Sequence, residues 1–558
     1  MPRPRNRDGT HVRHLINGGP SDTLSPTSFL KGHSPQGSNL SLTASYLSSN
    51  YKNQFGEKGV ESSSGYDEMT SASNVQVLHE LGRIGTPVEE PIAQPAKKSA
   101  RFVANLKKFG QFIGPGMMVS IAYIDPGNYA TDVSAGAAKR YALLFVILFS
   151  SFLAVVLQSL SIQLGCVTGA DLAVNCRRHM PKWLTWCIYL LAEAAIIATD
   201  IAEVIGTAIA LNILLHIPLM AGVVITALDV ILILMAYRPG KGMKAVRRFE
   251  QFVMLLLAAV VICFIIELSR IPSQPVGPIF KGFLPSSEVI SGGGMYLSCG
   301  ILGATVMPHS LYLGSALVKP RIWHRDKDLG NVGTDDDFFE KDDYKPSYAA
   351  IKYALKYSIL EVIFALSTFA LFVNAAILVL AGATLYNEPE AANADLYSIY
   401  DMLVATLSKA AGIIFMLALL FSGQSAGIIC TLAGQIVAEG HINWAVRPWL
   451  RRIITRLIAI TPCLIVTGVV GQQGLNATLN ASQVALSILL PFLSLPLVYL
   501  TSSKKIMTVE VPVEGEWGAT ESIDMSSGWP MKILSWSIWL VIAILNCYLI
   551  IHLGMYGY

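Results

Sequence analysis

Apolar residues fall in about eleven long blocks, at roughly 109–138, 141–168, 184–214, 217–237, 248–269, 291–318, 350–384, 403–438, 453–471, 480–501 and 531–553. A helix that crosses a bilayer needs roughly 20 mostly apolar residues, and these blocks meet that length. Several exceed it, so tilted or bent helices are expected. The links between blocks are mostly short, which predicts a compact helical bundle. Residues 1 to about 100 hold no such block. They are rich in Ser, Gly, Asn and charge, as in SPTSFLKGHSPQGSNLSLTASYLSSNYKNQ. Such a stretch buries too little apolar area to offset its ordering entropy. The pattern predicts a disordered tail over 1–100 and a transmembrane domain over 101–558. The opening MPRPRNRDGTHVRH has no apolar stretch behind it and is not a secretory signal.

Composition agrees with the pattern. Of 558 residues, 53% are hydrophobic and 14% charged, with a mean hydropathy of +0.50. A soluble protein carries about 25% charged residues. The 41 Lys+Arg nearly balance the 38 Asp+Glu, which gives no electrostatic reason to bind nucleic acid. The lipid bilayer is the expected surrounding.

Lys and Arg in short loops set the expected orientation. The second loop carries Arg177, Arg178 and Lys182. The fourth carries Arg238, Lys241, Lys244, Arg247 and Arg248. The eighth carries Arg447, Arg451 and Arg452, and the tenth Lys504, Lys505 and Lys532. The odd loops are poorer, with Lys139, Arg140, Arg270 and Lys281 as exceptions. Even loops inside puts the N-terminus in the cytosol and, with an odd number of helices, the C-terminus outside. The sixth loop, about 319–349, carries DDDFFEKDD and reads as a solvated cytosolic loop. Eight scattered Cys without a CxxC argue against a disulfide framework or a zinc site. Asn476 and Asn480 begin sequons beside a helix end.

Two blocks contain helix breakers. The first reads GPGMMVSIAYIDPGNYATDVSAGA, with Asp125, Pro126, Gly127 and Asn128 at its middle. The sixth reads GGGMYLSCGILGATVMPHSLYLGS, with Met307, Pro308 and His309 at its middle. Proline lacks an N–H and clashes with the preceding turn. Pro126 therefore frees the carbonyl of Ala122, and Pro308 that of Ala304. A break at membrane depth is tolerated where it lines a cavity. Asp125 at such a depth costs about 2.5–3.5 kcal/mol and calls for a cation. Breaks five helices apart are the mark of a five-plus-five inverted repeat, here about 102–270 and 288–503 with an extra helix at 531–553.

The donor set is one carboxylate, one amide, two carbonyls and one thioether. Oxygen donors suit Mg²⁺, Ca²⁺ and Mn²⁺, and the thioether of Met307 tilts the set toward later transition metals. Elsewhere, Glu193, Asp200 and Glu203 share one face of the third block. They read either as a proton path or as salt-bridge partners for a neighbour, with Arg456 as counter-charge. His309 reads as a proton relay or as a packing residue. Asp229 reads as structural.

DPGN at 125–128, MPH at 307–309, AEAAIIATDIAEVIGTAIAL at 192–211 and GQSAGIICTLAGQ at 423–435 resemble the Nramp divalent metal transporters. The likeness covers roughly 102–553. The long tail and the wording MPHSLYLGS look like the fungal manganese-transporter branch. The resemblance implies about eleven transmembrane helices in a LeuT-type fold. It implies proton-coupled import of Mn²⁺ and Fe²⁺, with Cd²⁺ and Co²⁺, by alternating access. The metal is substrate, and no cofactor is expected. The family's metal ligands fall on Asp125, Asn128, Met307, Ala122 or Ala304, and Gln483. Its proton network falls on His309, Glu203, Asp200, Glu193 and Arg456. Two departures stand out. A second His common in the family is Gly314 here, and a common Ser-Thr pair is Ala426 and Gly427. The reading expects a monomer in the plasma membrane or an endosomal or vacuolar membrane, with trafficking or ubiquitin machinery meeting the tail.

Three other classes are weaker. A non-transporting sensor would want a large cytosolic domain. An amino-acid carrier of the same fold would be repelled by Asp125. An enzyme would need a nucleophile–base pair, and none is apparent.

Overall fold

The structure is a computed structural model. It describes residues 109–110, 112–236, 243–291, 293–332, 344–386, 388, 391, 394–443, 448–469, 471–512 and 520–556. The tail reading over 1–100 and the acidic run 335–343 lie outside them.

The described chain is almost entirely helical. The first block forms α1 (Pro115–Ile121) and α2 (Pro126–Lys139). There follow α3 (Leu144–Thr168), a short α4 (Leu172–His179), α5 (Lys182–Leu215), α6 (Leu219–Ala236) and α7 (Met243–Arg270). After the short α8 (Val276–Gly282), the sixth block forms α9 (Gly294–Thr305) and α10 (Pro308–Leu317). α11 (Lys319–Asp328) leads to α12 (Tyr348–Ala365), which a five-residue π turn joins to α13 (Leu371–Thr384). The rest is α14 (Leu396–Thr406), α15 (Lys409–Ile442), α16 (Pro448–Val469), α17 (Gly471–Ser502), α18 (Lys504–Met507), the strands β1 (Thr508–Pro512) and β2 (Thr520–Asp524), and α19 (Trp529–Tyr556).

Among the described residues each apolar block is mostly helix, and the block at 403–438 takes in the end of α14 and most of α15. Among the described residues, eight helices are long and apolar enough to cross a membrane. The blocks at 109–138, 217–237 and 453–471 are not among these eight. The first is cut in two at its break. The fourth and ninth lie in α6 and α16, which hold the shorter described apolar helices Leu219–Met235 and Ile460–Val469.

Lipid-facing and core-facing sides separate clearly. Leu228, Leu232, Leu255, Ile262, Ile265, Leu540 and Ile544 are exposed, as a bilayer would require. Small residues bring the helices together where the backbone must pass closely. A Cβ at Gly206 of α5 would lie 2.6 Å from Pro126 Cγ, and one at Gly136 of α2 would lie 2.5 Å from the Leu378 carbonyl of α13.

Two local features depart from expectation. The predicted loop 319–349 opens with a helix, α11, which buries Arg321, Ile322, Trp323 and Asp326. Asp326 anchors the segment by accepting from Tyr344 Oη at 2.6 Å and from the Ser347 N–H at 2.9 Å. The tenth loop forms an antiparallel hairpin with Thr508 opposite Asp524. Hydrogen bonds from Ser526 and then the Lys504 ammonium hold the Asp524 carboxyl below its ordinary range. Asn476 and Asn480 lie within α17 rather than in a loop. All eight cysteines are free thiols.

Candidate metal site

The first break is built from short bonds. Ala122, Tyr123 and Ile124 donate N–H bonds to carbonyls three residues back, at 3.1, 3.1 and 3.0 Å, which tightens the end of α1. Asp125 then turns extended and caps α2. Its carboxylate accepts from the N–H groups of Gly127 at 3.3 Å and Asn128 at 3.1 Å. Pro126 takes the first helical position, where its missing N–H costs nothing. The carboxylate is fully buried, at 0% exposure. The positive end of α2 compensates part of that charge.

The second break repeats the plan. α9 ends at Thr305, Met307 caps α10, and Pro308 takes the first helical position. Ser310 bonds the Met307 carbonyl through its N–H at 3.2 Å and its hydroxyl at 2.6 Å. Met307 is fully buried.

The two breaks meet through Asn128. Its Nδ2 donates to Asp125 Oδ1 at 2.5 Å, to the Ala304 carbonyl at 3.1 Å and to the Tyr123 carbonyl at 3.3 Å. Its Oδ1 accepts from Thr305 Oγ1 at 3.4 Å. The Ala304 carbonyl, four residues before Pro308, thus points at the first break. Asn128 Nδ2 provides the positive pole among three oxygens. A half-turn of this amide would present Oδ1 to the same oxygens, and the set would then suit a divalent cation. The C-terminal ends of α1 and α9 add negative potential. Ala122 is buried beside Pro126, which has no N–H to give its carbonyl.

α17 closes the site from one side. Gln483 is buried, and its Oε1 has no hydrogen-bond partner. A Cβ at Gly127 would lie 2.7 Å from that oxygen. Only glycine lets the amide approach the first break so closely. A Cβ at Gly303 would lie 3.0 Å from the Gln483 carbonyl, so α17 touches both broken helices.

The predicted proton residues divide. His309 Nδ1 meets Thr199 Oγ1 at 3.3 Å, and Thr199 donates to the Ala195 carbonyl at 3.0 Å. The imidazole then carries its proton on Nδ1 and leaves Nε2, which has no partner, as a lone pair. Asp200 and Glu203 are buried, and their carboxylates lie within 4.8 Å of each other and of the Cys430 thiol. Glu193 sits about two turns away and is bonded to Tyr189. Arg456 is helical, but its side chain lies outside the described residues. Asp229 is bonded to Gln424 of α15, in keeping with a structural part.

Several residues escaped the sequence reading. Asp132, two turns past Asp125, is fully buried, and so is Glu267 of α7. Neither carboxylate has a hydrogen-bond partner. The signal was present in DPGNYATD, since positions seven apart share a helix face. Arg321, Glu250 and Glu361 form a buried cluster at the start of α1. Arg321 pairs with Glu250 at 3.0 and 3.2 Å, and Glu361 Oε1 accepts from the N–H groups of Gly114 and Gly116 at 2.5 and 2.9 Å. Where the family often has a second His, a Cβ on Gly314 would lie 2.9 Å from Ser161 Oγ and would also strike Gln158. Gln158 Nε2 instead bonds Tyr123 Oη at 2.9 Å and Ser310 Oγ at 2.8 Å. That network ties the two breaks together from α3.

Known proteins resemble this chain over most of its length. The profile of the Natural resistance-associated macrophage protein-like family, Nramp, matches residues 116–552. The manganese transporter pdt1 of Schizosaccharomyces pombe is 56% identical over 453 residues, which is 81% of this chain and 86% of that protein. The iron transporter SMF3 of Saccharomyces cerevisiae is 51% identical over 80% of this chain and 96% of its own length. A crystal structure of the Eremococcus coleocola manganese transporter superposes with a TM-score of 0.65 at 32% identity, covering 81% of this chain and 87% of that one. The bundle with two facing helix breaks is thus an Nramp fold, and the chain belongs to the Nramp family.

Proposed function

We propose that this chain is a secondary transporter that carries divalent transition metals, Mn²⁺ and Fe²⁺ first, into the cytosol. Family membership makes it an integral membrane transporter rather than an enzyme. One observation carries the finer reading: Asn128 joins the Asp125 carboxylate of one helix break to the Ala304 carbonyl of the other. The metal substrate would be held by Asp125, Asn128, Met307 and the carbonyl of Ala122 or Ala304. Gln483 approaches from α17. One carboxylate among neutral donors favours binding that can be reversed, as release requires. The same set would take Cd²⁺ and Co²⁺.

Alternating access would be movement about these breaks, with the two halves of a five-plus-five repeat rocking around them. With the N-terminus in the cytosol, the Lys139 end of α2 faces outward. An inside-negative potential then favours entry of a divalent ion by about 4.6 kcal/mol per 100 mV, two charges at about 2.3 each. His309, linked to α5 through Thr199, and the Asp200, Glu203 and Glu193 series would carry the coupled proton. The plasma membrane or an endosomal or vacuolar membrane would suit such a carrier.

The test is Mn²⁺ flux in proteoliposomes with internal pH recorded at the same time. Asp125→Ala should abolish uptake. Undiminished Mn²⁺ flux in that variant would sink the assignment of the site.

A further inference from the structure

A helix leaves its last backbone carbonyls without donors from its own chain, and α1 ends in the middle of the metal site. Buried carbonyls must find donors elsewhere. Those of Val119, Ser120 and Ile121 accept from the N–H groups of Ala122, Tyr123 and Ile124, and that of Asp125 accepts from the Asn128 N–H at 3.0 Å. The carbonyls of Tyr123 and Ile124 are taken by side chains of two other helices. Asn374 Nδ2 of α13 donates to Tyr123 at 3.0 Å, and the Ser422 hydroxyl of α15 donates to Ile124. Ala122 is left over. Among the described residues its carbonyl has no donor, because Pro126 has none to give.

Both side chains reach the break from far along the sequence, across separations of 251 and 298 residues. Both are buried, Asn374 at 0% and Ser422 at 1% exposure. α15 comes this close because the residue after Ser422 is Gly423. A Cβ there would strike Thr207 of α5 and lie 3.4 Å from Pro126 Cγ.

Tyr123 is held twice. Asn128 Nδ2 also donates to its carbonyl, at 3.3 Å. A half-turn of Asn128 that presents Oδ1 to a cation would withdraw that donor. Asn374 would still hold the carbonyl, so a change in Asn128 does not set a further oxygen loose.

We propose that Asn374 and Ser422 are positioning residues that set the selectivity of the Asp125 site by keeping two backbone oxygens from the ion. The proposal rests on the reading of that site as the divalent metal site. Ca²⁺ takes about six to eight oxygen ligands in flexible geometry. A site with few oxygens and one sulfur, from Met307, falls short of that demand. The carbonyls of Tyr123 and Ile124 lie between Ala122 and Asp125 in the chain, so they are the oxygens most readily added. Tied to α13 and α15, they are committed elsewhere.

The experiment follows free Mn²⁺ by electron paramagnetic resonance as it binds detergent-solubilised full-length protein, with Ca²⁺ titrated as competitor. Asp125→Ala serves as the blank. Ser422→Ala and Asn374→Leu are each expected to strengthen Ca²⁺ about tenfold relative to Mn²⁺, a shift within reach of one freed hydrogen-bonding group. Ser422→Thr, which keeps the hydroxyl, is expected to hold the wild-type ratio. Packing alone would weaken both ions together and leave the ratio unmoved. Either of the first two variants decides the question, so one that fails to fold leaves the other to answer. The proposal is overturned if a folded variant of either kind keeps the wild-type ratio, or if Ser422→Thr shifts it as far as Ser422→Ala. Mn²⁺ binding that is unchanged in Asp125→Ala would instead overturn the reading of the site itself.

Discussion

The side-chain amide of Asn128 donates to the carbonyl of Ala304 across a sequence separation of 176 residues, at 3.1 Å. This bond is where the two broken helices recognise each other. Asn128→Ala removes both the link and one proposed ligand oxygen. Losing a hydrogen bond to a buried acceptor costs about 1–3 kcal/mol. The KM for Mn²⁺ should therefore rise about tenfold or more. Initial rates of radioactive Mn²⁺ uptake across a concentration series measure it, and an unaltered KM would remove Asn128 from the site.

Gly127 and Gln483 form the second testable pair. A Cβ at Gly127 intrudes on the far end of a flexible side chain rather than on backbone. Gly127→Ala should therefore fold, but should push the Gln483 amide away from the break. Uptake should fall in Gly127→Ala, and adding Gln483→Ala should cause little further loss. Such non-additivity is what a shared contact produces. Independent, additive losses would show that the two residues act separately.

The breaks were legible because proline acts locally: without an N–H, Pro126 and Pro308 must free carbonyls four residues back, whatever surrounds them. Capping by Asp125 follows from the same local geometry. Helix existence was legible from run length. The Arg321, Glu250 and Glu361 cluster was not legible. Its members are separated by 40 to 111 residues, and only packing brings them together. Asp132 carried a readable signal in its spacing from Asp125, but its lack of partners is a tertiary fact.

That cluster restrains the start of α1. Arg321 grips Glu250 with both nitrogens, and Glu361 holds the first N–H groups of α1. Arg321→Ala would leave Glu250 buried without its cation, at a cost of about 3–5 kcal/mol. The packing around the start of α1 should lose about that much stability. Hydrogen–deuterium exchange of residues 114–121 should speed up in the variant. Exchange as slow as in the wild type would mean that the cluster does not restrain α1.

The tautomer of His309 is set by Thr199. Thr199→Val removes the acceptor for the Nδ1 proton without changing the shape much. If His309 relays the coupled proton, Mn²⁺ entry should continue with less acidification of the vesicle interior per ion. A fluorescent pH probe inside Mn²⁺-loaded proteoliposomes reads that ratio. A ratio equal to that of the wild type would confine His309 to packing.

Met307 is the remaining selectivity question, and its burial makes the outcome clear to read. It caps α10 through its backbone, so its side chain is not needed to form the break. Met307→Ala should therefore leave the helix ends intact while deleting the one soft donor of the site. What stays is an oxygen set of the kind that binds Ca²⁺ and Mg²⁺ as readily as Mn²⁺. The variant should keep part of its Mn²⁺ uptake, lose more of its Cd²⁺ uptake, and admit more Ca²⁺ than the wild type. Competition assays with each ion against radioactive Mn²⁺ measure all three. If Ca²⁺ uptake did not rise, selectivity would come from other parts of the site, among them the pocket closed by Gln483 and Gly127, and the Gly127→Ala and Gln483→Ala variants would become the ones to test for Ca²⁺ entry.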